Sequence, residues 1–202
     1  MVALVVRLLD ETLVRVGNER YVEDNDSYGL TTLRQDHVTE IGPGVRLSFR
    51  GKSGVDHEVE VTDRRVASVV RRCHELGGQH LFTWRGEGGE PVPVSSSDVN
   101  EALRRWTGLE VTAKDFRTWG GTVCAVEHLA SQDGDDVEHE ILGAIDHAAE
   151  QLRNTRVVCR SSYVHPAVLD AHRTGDVRSA WRSARSTTGH SRAERAALAL
   201  LS

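Results

Sequence analysis

From Val45 onward apolar and polar side chains alternate: Val45, Leu47 and Phe49, then the break Gly51-Lys52-Ser53-Gly54, then Val55, Val59 and Val61. A two-residue period on both sides of a short Gly-rich break predicts a β-hairpin with Lys52 at its tip. Beyond it the period lengthens. Thr62 offers an N-cap, and Val66, Val69, Val70, Cys73 and Leu76 recur at helical spacing until Gly77-Gly78 supplies a stop. The Gly-rich stretch 86–97 predicts a loop or hinge, with Asp98 and Glu101 as a capping pair for the next helix. A second capping pair, Thr112 with Asp115, precedes Phe116, Trp119, Val123, Val126 and Leu129. This predicts a helix from about Ala113 to Ala130 with Arg117 in its first turn.

Ser131 to Asp136 reads as a polar loop, and Ile141, Leu142, Ile145, Ala148, Ala149 and Leu152 mark another amphipathic helix. Short helical segments should follow through Tyr163 and Val168, and the Ala/Arg-rich stretch from Val177 to Leu201 predicts one final helix within a helical tail over 173–202. No internal repeat is present. The pattern is α+β, mainly α, with one early hairpin or small sheet.

The chain has 202 residues, 39% of them hydrophobic and 27% charged, which suits one ordinary folded domain. The apolar run near Met1 to Leu9 is interrupted by Arg7 and closed by Asp10 and Glu11. It is too short to span a bilayer and lacks a signal-peptide cleavage pattern, so a cytoplasmic location and no membrane partner are expected. Cys73, Cys124 and Cys159 are far apart and in no CxxC spacing, which argues against a disulfide framework or zinc knuckle and for a reducing compartment. The net charge of −5 hides a strong asymmetry: 133–150 carry seven acids and no Lys or Arg, whereas 153–195 carry nine arginines against three acids. Two oppositely charged, solvated helix faces would account for this.

Gly51-Lys52-Ser53 resembles the end of a P-loop, but that motif needs a glycine five positions before Gly51, where Arg46 stands. No ATP site follows. A lysine at a hairpin tip is by itself an ordinary solvated turn residue, although Lys52 and Lys114 are the only lysines in the chain.

Four further segments change that reading. Arg15-Val16-Gly17-Asn18-Glu19-Arg20-Tyr21 with Ser27-Tyr28-Gly29-Leu30-Thr31-Thr32-Leu33, then Phe49-Arg50-Gly51-Lys52, then Lys114-Asp115-Phe116-Arg117-Thr118-Trp119-Gly120, and finally Asn154 with Cys159-Arg160-Ser161-Ser162-Tyr163 occur in order. In order and spacing, including 37 residues from Arg15 to Lys52 and nine from Asn154 to Tyr163, they resemble the catalytic domain of the type IB DNA topoisomerases, the small poxvirus-like and bacterial enzymes in particular. The resemblance runs from roughly Val5 to His172. It implies a type IB topoisomerase or tyrosine-recombinase-like catalytic core, with Arg15, Lys52, Arg117, Asn154 and Tyr163 as catalytic residues. DNA contacts are expected from Tyr21, Lys114, Arg153, Arg156 and Arg160.

The implied reaction is relaxation of supercoiled duplex DNA through transient single-strand cleavage and religation, without ATP, metal or other cofactor. Two arginines suit it because charge gathers on the nonbridging phosphate oxygens, and a guanidinium stays protonated and presents a planar fork to phosphate. A phenol ionises near pH 10 in water, so nearby cations would favour the phenolate of Tyr163. Lys52 would protonate the leaving 5′-oxygen, and Asn154 would donate an amide hydrogen bond to phosphate. The expected partner is double-stranded DNA, bound by a monomer.

Two features depart from the family. Arg153 and Arg156 stand where relatives commonly show glycine and proline. The chain also starts where the catalytic domain would start, so the N-terminal β-rich clamp domain of the family is expected to be absent and DNA binding weak. The competing classes are a tyrosine recombinase, which usually carries histidine where this chain has Lys114, and a non-catalytic DNA-binding module with the same fold.

Overall fold

The computed structural model describes residues 1–76 and 78–202. The chain divides into two compact units, Met1–Asp115 and Phe116–Ser202. The first contains α1 (Val2–Thr12), α2 (Glu19–Asn25), β1 (Val38–Ile41), β2 (Gly44–Arg50), β3 (Asp56–Val61), α3 (Arg64–Glu75), β4 (Thr83–Arg85), β5 (Pro91–Pro93) and α4 (Ser96–Thr107). α5 (Ala113–Ala130) begins just before the division, and α6 (Val137–Gln151), α7 (Arg156–Ser162), α8 (Pro166–Arg173), α9 (Asp176–Ser183) and α10 (Arg192–Leu201) complete the second unit. The fold is mainly α with small antiparallel sheets, as the pattern of apolar positions predicts. No described helix is long and apolar enough to cross a membrane.

The first unit is organised by the predicted hairpin. β2 pairs with β3 from Val45↔Val61 to Arg50↔Asp56, and Val45, Leu47 and Phe49 face inward on the two-residue period. β1 adds a third antiparallel strand, Val38↔Leu47 to Ile41↔Gly44, that the apolar pattern misses because Thr39 and Glu40 are exposed and the strand is held through its backbone. α1 buries Val5, Leu8 and Leu9 and packs on α3 and α4.

Two helix starts differ from the sequence reading. α3 is capped by Asp63, not Thr62: the carboxylate accepts the N–H groups of Arg65 and Val66, and these two bonds hold its pKa below the ordinary carboxylate range. α4 is capped by a Ser95/Asp98 box rather than by Asp98 with Glu101. Much of the expected 86–97 loop is a hairpin, with β5 pairing to β4, so the helix begins earlier. The expected stop of α3 falls partly on Gly77, outside the described residues, while Gly78 is left-handed at φ +100°.

In the second unit α6 packs on α7 and α8, and α9 packs on α8 and α10. Ile141, Ala144, Ile145 and Ala148 form the buried stripe of α6. The predicted final helix is two helices. Ala184 is extended and ends α9, and a Ser191/Glu194 capping box restarts the chain as α10. The Arg192 guanidinium holds the break closed by donating to the Trp181 carbonyl at 2.7 and 3.0 Å while lying 4.6 Å from the Trp181 ring centroid.

The opposed charge runs are not simply solvated faces, because they partly answer each other: Glu138 pairs with Arg173 and Asp146 with Arg156. Inside the unit, Glu140 accepts the Gly134 N–H at 2.7 Å and pairs with the buried His172 at 2.7 Å, stitching the 131–136 loop to α8.

Candidate active site

Arg15 and Lys52 belong to the first unit. The backbone after α1 is pinned by the second matched segment: the Arg15 carbonyl accepts the Leu30 N–H at 2.9 Å, and the Val16 carbonyl accepts both the N–H and the hydroxyl of Thr31. Gly29 permits this approach, since a Cβ there would lie 2.5 Å from the Gly17 nitrogen and 2.6 Å from the Arg15 carbonyl. The same segment reaches the hairpin, where the Tyr28 N–H donates to the Arg50 carbonyl at 2.8 Å. A run of ring contacts, Tyr28 to His37 to Phe49 to His57, backs this junction. Lys52 is exposed just beyond it, on a tip closed by Gly51 N–H to Val55 carbonyl, with Ser53 and Gly54 both left-handed. The half-buried Arg15 and the tip lysine are thus linked through the 28–31 segment, which is hydrogen-bonded by its main chain to both stretches.

Arg117, Asn154 and Tyr163 belong to the second unit. The Thr112/Asp115 cap and the helix Ala113–Ala130 match the sequence reading. Arg117 is the fifth residue of α5, however, past the first turn, so the unsatisfied N–H groups of the helix start belong to the residues before it. The residue is 97% buried, which is costly for a guanidinium unless the group is partnered. Nη2 donates to the Leu152 carbonyl at 2.8 Å, and Cζ lies 5.0 Å from the centroid of the Tyr163 ring. The arginine and the tyrosine, 46 residues apart in sequence, are in contact.

The end of α6 explains that partner. Past Leu152 the chain closes a Schellman turn, with Arg153 N–H to Glu150 carbonyl at 3.1 Å and Asn154 N–H to Ala149 carbonyl at 2.8 Å. The Leu152 carbonyl lies outside this pattern and receives Arg117. Arg153 occupies the left-handed position at φ +49°, which a glycine adopts without steric cost. Replacing Arg153 by Gly is therefore expected to raise the thermal midpoint by about 1–3 °C, from roughly 0.5–1 kcal/mol of relieved strain, as read by calorimetry.

Tyr163 is the half-buried C-terminal cap of α7. Its main chain rests on α5, where a Cβ on Gly121 would lie 2.9 Å from the Tyr163 carbonyl oxygen and 3.2 Å from its Cβ. Gly121 and its neighbour Thr122 escaped the sequence reading. The available signal was a Gly-Gly pair inside an otherwise regular helix, which costs helix stability and so marks a close approach.

Of the expected DNA contacts, Tyr21 is exposed on α2 and Lys114 is exposed near the start of α5, both in the first unit. Arg153 and Arg160 are exposed in the second unit. Arg156 forks onto Asp146, holding that carboxyl below its ordinary pKa. Among the described residues no group of three or more His, Cys, Asp or Glu is placed to hold a metal ion.

The second unit thus brings a buried arginine over the ring of a helix-capping tyrosine and fixes it to the end of α6. Residues 1–181 match the family model described as eukaryotic DNA topoisomerase I, catalytic core, and the chain belongs to that family, the type IB topoisomerases. It is 30% identical over 184 residues to the DNA topoisomerase 1B of Acanthamoeba polyphaga mimivirus, covering 85% of this chain and 54% of that protein. It is 29% identical over 121 residues to the DNA topoisomerase I of monkeypox virus, covering 58% of this chain and 35% of that one. A putative protein IntB of Escherichia coli K12 is 28% identical over 126 residues, 57% of this chain and 32% of that one. The chain thus spans about half or less of these relatives.

Proposed function

We propose that this chain carries type IB topoisomerase chemistry on duplex DNA, with Tyr163 as nucleophile. The observation that carries the reading is the buried Arg117 guanidinium lying over the Tyr163 ring while fixed to the Leu152 carbonyl. The phenol oxygen attacks a backbone phosphorus and forms a 3′-phosphotyrosyl bond, its proton passing to solvent. The bond from phosphorus to the 5′-oxygen breaks, and that oxygen takes a proton from Lys52. Arg15 and Arg117 meet the charge on the nonbridging oxygens, and Asn154 donates to one of them. Resealing is the reverse attack by the 5′-hydroxyl. Since one phosphoester is exchanged for another, no ATP is consumed, and stored torsion drives rotation between the two steps. Tyr21, Lys114, Arg153, Arg156 and Arg160 are the proposed DNA contacts.

The test is covalent trapping. Duplex labelled at the 5′ end of the cleaved strand, with a nick that lets the downstream fragment bearing the new 5′-hydroxyl depart, is incubated with the chain in chelator without ATP, then denatured. Label is expected on the protein, in the peptide containing Tyr163; label on another peptide overturns the assignment. Plasmid relaxation then separates topoisomerase action from recombination, which needs paired sites.

Lys52 has its own test. A substrate with sulfur in place of the bridging 5′-oxygen releases a thiolate, which needs no proton from an acid. Lys52→Ala is expected to slow cleavage of the oxygen substrate by about 10²–10⁴-fold and of the sulfur substrate by less than about tenfold. Equal losses on both substrates would remove Lys52 from the acid role.

A further inference from the structure

We propose that Thr122 is a positioning residue: its buried hydroxyl fixes the Tyr163–His165 main chain and thereby aims the Tyr163 side chain. The inference rests on the reading of Tyr163 as nucleophile. The need for such a device follows from the backbone. The N–H groups of Tyr163 and Val164 both go to the Cys159 carbonyl at 3.0 Å, which ends α7. The Tyr163 carbonyl and the His165 N–H then fall in the turn between α7 and α8, where backbone polar groups need partners from outside the helical pattern.

Thr122 meets both groups. Its Oγ1 lies 3.2 Å from the Tyr163 carbonyl oxygen and accepts the His165 N–H at 3.2 Å, and the residue is 2% exposed. The one hydroxyl proton is shared between the Tyr163 carbonyl and the nearer Thr118 carbonyl, 2.8 Å away one turn earlier on α5, which orients the group, and the β-branched side chain has few rotamers. Gly121 beside it leaves room for the Tyr163 backbone, and Arg117, one turn before Gly121, lies over the ring. One stretch of α5 therefore holds the tyrosine's main chain and covers its ring. Thr122 has no part in the chemistry beyond this, but reactions between held groups are sensitive to displacements of about 1 Å, which can cost roughly 10²-fold in rate.

The experiment compares Thr122→Val, which keeps the shape and loses the hydroxyl, with Thr122→Ser, which keeps the hydroxyl. Val126→Ala, a fully buried position further along α5, serves as the stability control. Single-turnover adduct formation at saturating duplex, duplex affinity, thermal midpoint and amide exchange at His165 are read for each. Thr122→Val is expected to slow adduct formation by about 10–100-fold with affinity unchanged and to accelerate exchange at His165. Thr122→Ser should stay within about threefold of wild type, and Val126→Ala should lower the midpoint with little effect on the rate. Wild-type rates in Thr122→Val, an equal slowing in Val126→Ala, or unchanged exchange at His165 would each overturn the proposal. Adduct formation by a Tyr163→Phe variant would instead overturn the nucleophile reading, so the two failures are distinguishable.

Discussion

Tyr163→Phe is expected to abolish covalent adduct formation, by at least about 10⁴-fold, while leaving duplex affinity within about twofold. The substitution removes the one oxygen that forms the intermediate and keeps the ring and the main chain. The phenyl ring still lies under the Arg117 guanidinium at the 5.0 Å spacing, where the ring face rather than the hydroxyl makes the contact. The main-chain bonds of residue 163 to Cys159 and Thr122 involve backbone atoms and survive. Affinity for duplex rests mainly on phosphate contacts from cations, and a phenol contributes little to that sum. The measurement is paired: trapping of labelled DNA on the denatured protein and equilibrium binding at one fixed salt concentration. Cleavage retained by the phenylalanine variant would end the assignment of Tyr163. Loss of binding in parallel with loss of cleavage would mean that the hydroxyl acts in recognition instead.

Arg117→Ala should slow cleavage by about 10³-fold or more, and Arg117→Lys by about 10²–10³-fold, at saturating DNA. The arginine is buried, fixed to a carbonyl through one of its N–H groups and held over the tyrosine ring, so its remaining donors are held in a set orientation. Donors held in place for developing phosphate charge act without reorganising, which is where such large factors arise. A lysine keeps the charge and loses the fork, so it cannot hold the Leu152 carbonyl and point a second donor at phosphate in the same plane. Both variants are also expected to be less stable. Stranding the buried Leu152 carbonyl costs about 1–3 kcal/mol, or a fall of roughly 2–10 °C in thermal midpoint. A loss confined to duplex affinity, with the single-turnover rate intact, would make Arg117 a binding residue and remove it from transition-state stabilisation.

The long helix over Ala113–Ala130 was legible because each of its signals is local: a Thr/Asp cap, a 3.6-residue apolar period and a polar stop. The hairpin carrying Lys52 was legible for the same reason, its two-residue period being interrupted only at the tip. β1 was not, since an edge strand with exposed Thr39 and Glu40 shows no period and is defined by main-chain pairing with β2. Nor was the division of the final helix into α9 and α10. Alanine and arginine favour helix on either side of the break, and the break depends on a particular contact between Arg192 and the Trp181 carbonyl.

The same distinction runs through the candidate site. Family membership, the order of the five proposed catalytic residues and the elements they stand on were written in the sequence, because motif spacing and helix caps are properties of neighbours along the chain. The burial of Arg117, its bond to the end of α6, the left-handed Arg153 and the support of Tyr163 by Gly121 and Thr122 were decided by tertiary structure alone. Each depends on which backbone carbonyl or N–H a turn leaves over and on which distant side chain lies within about 3 Å of it, and no one-dimensional period encodes that distance.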